Sequence, residues 1–301
     1  TGNEGQKRFH SPKLTYFSRA MDRVRPKKQL GQHFLTDVRL AEKVALSLTG
    51  WGNYPNLLEI GPGTGQLTQH LLKLPYRLWL AEVDQESIQY LLEHRIAQPE
   101  QMVGDFLRWN PLPCPGDTGP AGTLDSEQDQ EKNKACWGVV GNFPYHISTE
   151  IVFKVLEHHA VVGECVGMFQ REVAQRICSV HGNKIYGITS VLTQAFFETE
   201  YLFTVNEGSF FPPPKVKSGV LRLKNRWNPP ACDHRLLFRV VKAAFNQRRK
   251  MLSNALGQVL PEGYSDRMNI LHLRAEQLPV QAFVELTQAI EETLSDQKTS
   301  S

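Results

Sequence analysis

The segment Asn56-Leu-Leu-Glu-Ile60 runs directly into Gly61-Pro-Gly-Thr-Gly65, and a helix-forming stretch follows over residues 66–74. A short apolar run ending in glycines reads as a buried parallel strand. Glycines in the turn let the backbone reverse sharply, and let a ligand lie against the main chain with no Cβ between them. Strand, glycine turn and helix in that order commit a chain to a layered α/β fold with a ligand site at the strand's carboxyl end.

The surrounding pattern agrees. Apolar side chains at helical spacing over 37–50 stand behind Asp37, which can cap a helix N-terminus. A second strand is expected at 77–83, an amphipathic helix at 85–95, and further strands at 101–103, 137–141 and 165–169. This alternation predicts a doubly wound parallel sheet. Residues 111–134 interrupt it with Pro, Gly, Asp, Glu, Gln and Ser and almost nothing apolar, which predicts a flexible surface insertion. Past residue 225 the pattern is helical only, over 233–256, 265–270 and 281–294, behind the linker Arg226-Trp-Asn-Pro-Pro230. No internal repeat is visible. The chain therefore divides into a basic, flexible leader (1–26), a catalytic α/β domain (27–225) and a small all-helical C-terminal domain (226–301).

Composition excludes several classes. With 41% hydrophobic and 22% charged residues in 301, the chain reads as an ordinary globular protein, and no apolar run is long enough to cross a bilayer. The net charge of +3 is only mildly basic, so the distribution of charge matters more than its sum. Five cysteines, odd in number, widely spaced and without Cys-x-x-Cys, argue against a zinc site or a disulfide framework and for a reducing cytoplasm. The leader carries Lys and Arg with only Glu4 and Asp22 as acids. It reads as a disordered arm able to touch phosphates, with a transit peptide as the alternative.

Two acids sharpen the glycine turn. Glu82 ends the second strand about 20 residues on, where a carboxylate accepts bonds from both ribose hydroxyls. Asp105 follows the third strand, where a carboxylate can meet an adenine amino group. Read alone the turn also fits a dinucleotide enzyme or a steric turn. With no Gly-Lys-[Ser/Thr] cradle for phosphates, the ligand is a nucleoside with a neutral or zwitterionic tail, a description that S-adenosylmethionine meets.

Asn142-Phe-Pro-Tyr145 follows the fourth strand, at the same sheet edge. By itself it is ordinary turn chemistry; behind a cofactor motif its residue types suit an amine nucleophile. The Asn142 amide oxygen and the carbonyl of Phe143 or Pro144 can accept both N–H bonds of an adenine N6. Pro144 fixes the loop so that the acceptors converge, and Tyr145 offers a ring for the purine to stack on.

With these residues in hand, the chain resembles the KsgA-type (RsmA) ribosomal RNA adenine dimethyltransferases from about Arg25 to Ile290. The matching blocks include Lys27-Lys-Gln-Leu-Gly-Gln-His-Phe-Leu35, residues 59–68, Ala81-Glu-Val-Asp84, Gly104-Asp105 and residues 140–149. Phe169-Gln-Arg-Glu-Val-Ala-Gln-Arg-Ile177, Phe210-Phe-Pro-Pro-Pro-Lys-Val-Lys-Ser218, residues 245–256 and Arg274-Ala-Glu-Gln-Leu278 complete them in order. The resemblance implies a Rossmann-like class I S-adenosylmethionine-dependent methyltransferase sheet with a small helical C-terminal domain. It implies dimethylation of N6 on two adjacent adenosines in the 3′-terminal hairpin of small-subunit ribosomal RNA. Further, it implies a cytoplasmic monomer acting on that RNA or a pre-30S-type particle, with no metal and no membrane. Two alternatives are a large-subunit methyltransferase of the antibiotic-resistance type and an assembly factor whose binding role outweighs catalysis.

By the same resemblance His33 and Leu35 touch S-adenosylmethionine, Gly61 and Gly63 approach its methionine tail, Glu82 its ribose and Asp105 its adenine. Asn142 stands between cofactor and target base, and Phe210 faces Tyr145 across the flipped adenine. Phe143 and His146 depart from the commoner leucine and asparagine, and the 111–134 insertion is longer than expected. Arg235, Arg239, Lys242 and Arg249 recur at helical spacing, with Arg248 and Lys250 widening the stripe. A solvated basic face is the ordinary reading of such a run; beside the linker of an RNA-modifying chain it reads as an RNA-phosphate contact, with Lys215, Lys217, Lys27 and Lys28 extending it.

Overall fold

Successive residues of the central strands fall into different apolar clusters. Leu57, Val140 and Val166 join one; Leu58, Val139 and Cys165 join the other. A pleated strand sends neighbouring side chains to opposite faces, so both faces of this sheet are buried. That is the architecture the apolar run before the glycines requires. The computed structural model describes residues 24–111 and 135–299, so the expectations for residues 1–23 and 112–134 lie outside the described residues.

The sheet has six strands in the order β3-β2-β4-β5-β8-β6. Strands β2 (Asn56–Ile60), β3 (Arg77–Ala81), β4 (Trp137–Asn142) and β5 (Val162–Gln170) are mutually parallel. Strand β8 (Ser218–Asn225) then runs antiparallel to both β5 and β6 (Phe197–Val205). The expected all-parallel sheet is thus corrected to a mixed one. Its last two strands escape the sequence pattern because charges sit on them, as Arg222 and Glu200, a cross-strand ion pair, show. The strand expected at 101–103 is reduced to a single parallel bridge between Leu80 and Met102. A separate two-stranded ribbon pairs β1 (Phe34–Leu35) antiparallel with β7 (Phe210–Phe211).

Helices α1 (Val38–Ala45), α2 (Thr68–Leu71), α3 (Gln85–Glu93), α4 (Ser148–Glu157), α5 (Arg171–Ile177) and α6 (Ile188–Phe196) connect and cover the strands. Asp37 caps α1 as expected, accepting from Arg39 N and Leu40 N. Val24, assigned to the leader from sequence, is only 1% exposed and belongs to the cluster around β2 and α1.

The C-terminal stretch carries α7 (His234–Asn246), α8 (Leu252–Ala255) and α9 (Val280–Thr299). Asp233 caps α7 through a 2.8 Å bond from Leu236 N. The helix expected over 233–256 breaks because Leu252 N and Ser253 N donate to Leu273 O and Leu271 O instead of to their own helix. The stretch 265–270 forms turns, not a helix, with Asp266 accepting from Ile270 N and Leu271 N. Leu237 and Val241 of α7 and Phe283 and Ile290 of α9 share one cluster with Ile151 of α4 and Leu192 of α6, so these helices dock on one face of the α/β layer.

Candidate active site

The glycine turn leaves β2 with three residues in the left-handed region: Gly61 at φ +67°, Gly63 at +55° and Gly65 at +79°. A side chain there pays about 1–2 kcal/mol in backbone strain alone. At Gly63 space is also closed, because a Cβ would lie 2.9 Å from the Phe34 ring. Gly63→Ala is therefore expected to lower Tm by several degrees, read by calorimetry. An unchanged melting curve would contradict this account of the turn.

Glu82, 7% exposed, closes the turn from the end of β3. Its Oε2 accepts from Gly63 N at 3.1 Å, and its Oε1 from Val83 N at 2.9 Å and Asp84 N at 3.0 Å. Burial raises its carboxyl pKa; the three N–H bonds oppose that by favouring the charged form, and the Asp84 charge adds to the rise.

Glu59 lies behind the turn at 1% exposure, and its Oε2 has no hydrogen bond among the described residues. Burial pushes its carboxyl up to about 8, the Thr68 hydroxyl opposing and the Glu82 charge assisting. Its folded pKa thus exceeds the ordinary 4.5, so its contribution to stability is full below pH 4.5 and lost as pH rises to about 8. Glu59→Gln, a neutral isostere, is expected to melt progressively higher than the parent as pH rises through that window. A Tm difference independent of pH would contradict the buried, neutral acid.

A strap formed by residues 27–35 crosses the turn. Lys27 Nζ pairs with Asp84 and, at 3.1 Å, with Glu86 Oε1; Gln32 Nε2 donates to Asp84 Oδ2 at 3.1 Å. The far end is pinned by the β1–β7 ribbon and by a 2.7 Å contact between His33 Nδ1 and Pro212 O. Sequence reasoning missed the Lys27–Asp84 anchor, although both residues stand in the quoted blocks, because nothing in the spacing joins positions 57 apart.

Asn142 ends β4 beneath the strap. Its Nδ2 donates to His33 O at 2.8 Å, which turns Oδ1 into the group left for accepting. Pro144 precedes the short turn Tyr145–Ile147, and the Tyr145 hydroxyl is bonded to Ser218, a partner the sequence reading did not assign. Burial raises the Tyr145 pKa, the Ser218 bond opposes and the Glu207 charge assists, so the ring stays a neutral phenol near pH 7. Its ring neighbour is His33, with centroids 5.5 Å apart and planes 31° off parallel.

Gly61, Gly63, Glu82, Asn142, Pro144, Tyr145 and His33 all line one cavity of about 110 Å³. Leu35 and Phe210 do not line it; paired across the ribbon, they are buried at 4% and 3%. Asp105 lies outside the lining as well, its Oδ1 capping the next turn through Leu107 N at 2.9 Å.

The sequence profile described as "Ribosomal RNA adenine dimethylase" matches residues 23–293. The chain belongs to the ribosomal RNA adenine dimethylase family. "Ribosomal RNA small subunit methyltransferase A" of Cytophaga hutchinsonii is 48% identical over 271 residues, covering 89% of this chain and 98% of the relative. The protein of the same description from Flavobacterium johnsoniae is 44% identical over 279 residues, covering 90% and 98%. Among solved structures, a dimethyladenosine transferase from Plasmodium falciparum superposes with a TM-score of 0.66 at 19% identity, covering 86% of this chain and 98% of that one. The 23S rRNA methyltransferase ErmE gives a TM-score of 0.56 at 22% identity, covering 85% and 99%. These two likenesses establish the shared fold.

The lining residues suit S-adenosylmethionine, the methyl donor of this family. The floor of the cavity is bare backbone at Gly61 and Gly63, a buried carboxylate stands at the end of the second strand, and no Lys or Arg lines it to hold phosphates. Among the described residues no cluster of His, Cys, Asp and Glu is arranged to hold a metal ion, and no helix is long and apolar enough to cross a membrane. Among the described residues Cys165, Cys178 and Cys232 are free thiols.

The basic stripe of this family member sits on α7 and just beyond. Arg235, Arg239, Lys242, Arg249 and Lys250 are exposed, while Arg248 is half-buried and paired with Glu276 at 3.6 Å. That pairing sets Arg248 apart from the others: its charge is partly used inside the fold.

Proposed function

We propose that this chain transfers methyl groups from S-adenosylmethionine to N6 of two adjacent adenosines in the 3′-terminal hairpin of small-subunit ribosomal RNA. The observation that carries the reading is Asn142: it lines the cavity with its amide nitrogen committed to His33 O, which leaves its oxygen as the side-chain acceptor beside the Glu82-braced glycine turn. The small-subunit assignment is supported by relatives more than 40% identical along nearly their whole length.

When bound, S-adenosylmethionine supplies an electrophilic methyl group on a sulfonium. Glu82 accepts the ribose hydroxyls, and its three backbone donors hold its carboxylate in place for that. Gly61 and Gly63 admit the methionine tail against the main chain, His33 and Leu35 hold the strap over it, and Asp105 receives the adenine amino group at the outer end. Asn142 Oδ1 and the carbonyl of Phe143 or Pro144 accept the two N–H bonds of the target amine, which concentrates the lone pair on nitrogen and aims it. The proton leaves after attack, so positioning and electrostatics supply the rate and no strong general base is needed. Tyr145, a neutral phenol held by Ser218, carries the flipped base on its ring. Phe210, from the ribbon, faces Tyr145 across the flipped base.

Arg235, Arg239, Lys242, Arg248, Arg249 and Lys250 form the RNA-phosphate surface of a helical region that extends from about residue 226. The reading includes a cytoplasmic, monomeric enzyme that works on a pre-30S-type particle. Primer-extension mapping after reaction with both ribosomal RNAs tests the target. Stops at two adjacent adenosines near the 3′ end of the small-subunit RNA are expected; a stop confined to the large-subunit RNA would overturn the assignment.

A further inference from the structure

Apart from the active-site cavity, the surface has a groove of about 670 Å³ between α4, α6, the loop before α6, and α7. Four cations border it, Arg176, Lys184, Lys242 and Arg248, and no carboxylate is among its lining residues. Arg176, Lys184 and Lys242 are exposed and make no ion pair among the described residues. The floor between them is apolar. Phe153 of α4 and Phe238 of α7 meet with ring centroids 5.7 Å apart, and Ile185 stands 42% exposed at the rim.

An apolar floor bordered by unpaired cations fits a ligand with a hydrophobic face and an anionic backbone. That is a nucleotide within a strand, whose base stacks while its phosphates meet Lys and Arg. The groove also starts close to the chemistry. Thr149 lines it, and Tyr145 lines the active-site cavity four residues earlier, at most about 14 Å away even for extended chain. One RNA strand can therefore occupy both.

We propose that this groove binds an unstacked nucleotide of the substrate RNA, flanking the target adenosine, with the base over Phe153 and Phe238 and the backbone phosphates held by Arg176, Lys184 and Lys242. The inference rests on the functional reading above and adds Arg176 and Lys184 to the RNA surface. Lys242 belongs to both surfaces, since it lines this groove and stands in the α7 stripe.

The test uses the full chain and small-subunit RNA. Arg176→Ala with Lys184→Ala is expected to raise KM for the RNA about tenfold and to reduce the slope of log affinity against log salt by roughly 1–2, since each phosphate contact contributes about 0.7–0.9. Cofactor affinity and Tm should be unchanged. In parallel, RNA carrying 4-thiouridine within two nucleotides of the target should crosslink to the wild-type chain at Phe153, Ile185 or Phe238, a result that decides the matter even if the double variant melts early. An unaltered salt slope with crosslinks only elsewhere would overturn the proposal while leaving wild-type methylation, and so the functional reading, intact. Loss of binding to the assembled small subunit but not to naked RNA would assign the groove to a protein partner and also overturn it. No methylation by the wild-type chain would remove both readings together.

Discussion

Asn142→Ala is expected to reduce kcat at least about 10³-fold while changing cofactor affinity less than roughly tenfold. Loss of one preorganised polar group at a reacting centre costs on the order of 10²–10³ in rate. Here the residue does two things at once. Its Oδ1 is the side-chain acceptor available to the amine, and its Nδ2 ties His33 of the strap. Alanine loses both, whereas the glycine turn and the Glu82 bonds that shape the cofactor end of the cavity are left in place. Single-turnover methylation and calorimetric cofactor binding, measured on the same preparation, separate the two effects. Asn142→Asp keeps an acceptor and loses the donor to His33, so it should fall between alanine and the parent. Substantial dimethylation by the alanine variant would mean that the amine is aimed by other groups.

Glu82→Ala is expected to weaken cofactor binding by about 1–3 kcal/mol for the lost ribose bonds, which is roughly 5–150-fold in Kd. The structure adds a second consequence that the spacing alone does not contain. Gly63 N, Val83 N and Asp84 N all donate to this carboxylate, and alanine leaves them without that acceptor in a buried setting. An unsatisfied buried N–H costs about 1–3 kcal/mol, so Tm should drop together with affinity. Glu82→Gln retains one acceptor oxygen and should show a smaller loss of both. If calorimetric affinity for the cofactor is unchanged in the alanine variant, the ribose assignment is wrong whatever happens to Tm.

The parallel half of the fold is legible because it obeys one period. The runs at 56–60 and 137–142 are buried on both faces and 77–81 is buried apart from Arg77 and, in part, Trp79, so their apolar content marks them as strands without any knowledge of partners. Strands β6 and β8 are not legible in that way: Glu198, Glu200, Arg222 and Lys224 interrupt their apolar runs and are matched only across the sheet, through contacts such as Arg222 with Glu200. The helix end at 246 is equally opaque, since the carbonyls that capture Leu252 N and Ser253 N belong to residues about 20 positions later. For the site, Gly61, Gly63, Glu82, Asn142, Pro144, Tyr145 and His33 were named from sequence and share one cavity. The bracing that makes them a rigid set was not: Lys27 on Asp84, Ser218 on Tyr145 and Pro212 on His33 are all contacts between distant segments. Asp105, Leu35 and Phe210 sit one step back from that cavity, and the local pattern around them does not tell a residue at the wall from one behind it.

The central claim is the identity of the product. Small-subunit ribosomal RNA lacking the modification, incubated with this chain and S-adenosylmethionine carrying a labelled methyl group, can be digested to nucleosides and read by mass spectrometry. N6,N6-dimethyladenosine carrying two labelled methyl groups, at two residues per RNA, is the predicted result. Label on any other nucleoside, or no label at all, would contradict the account.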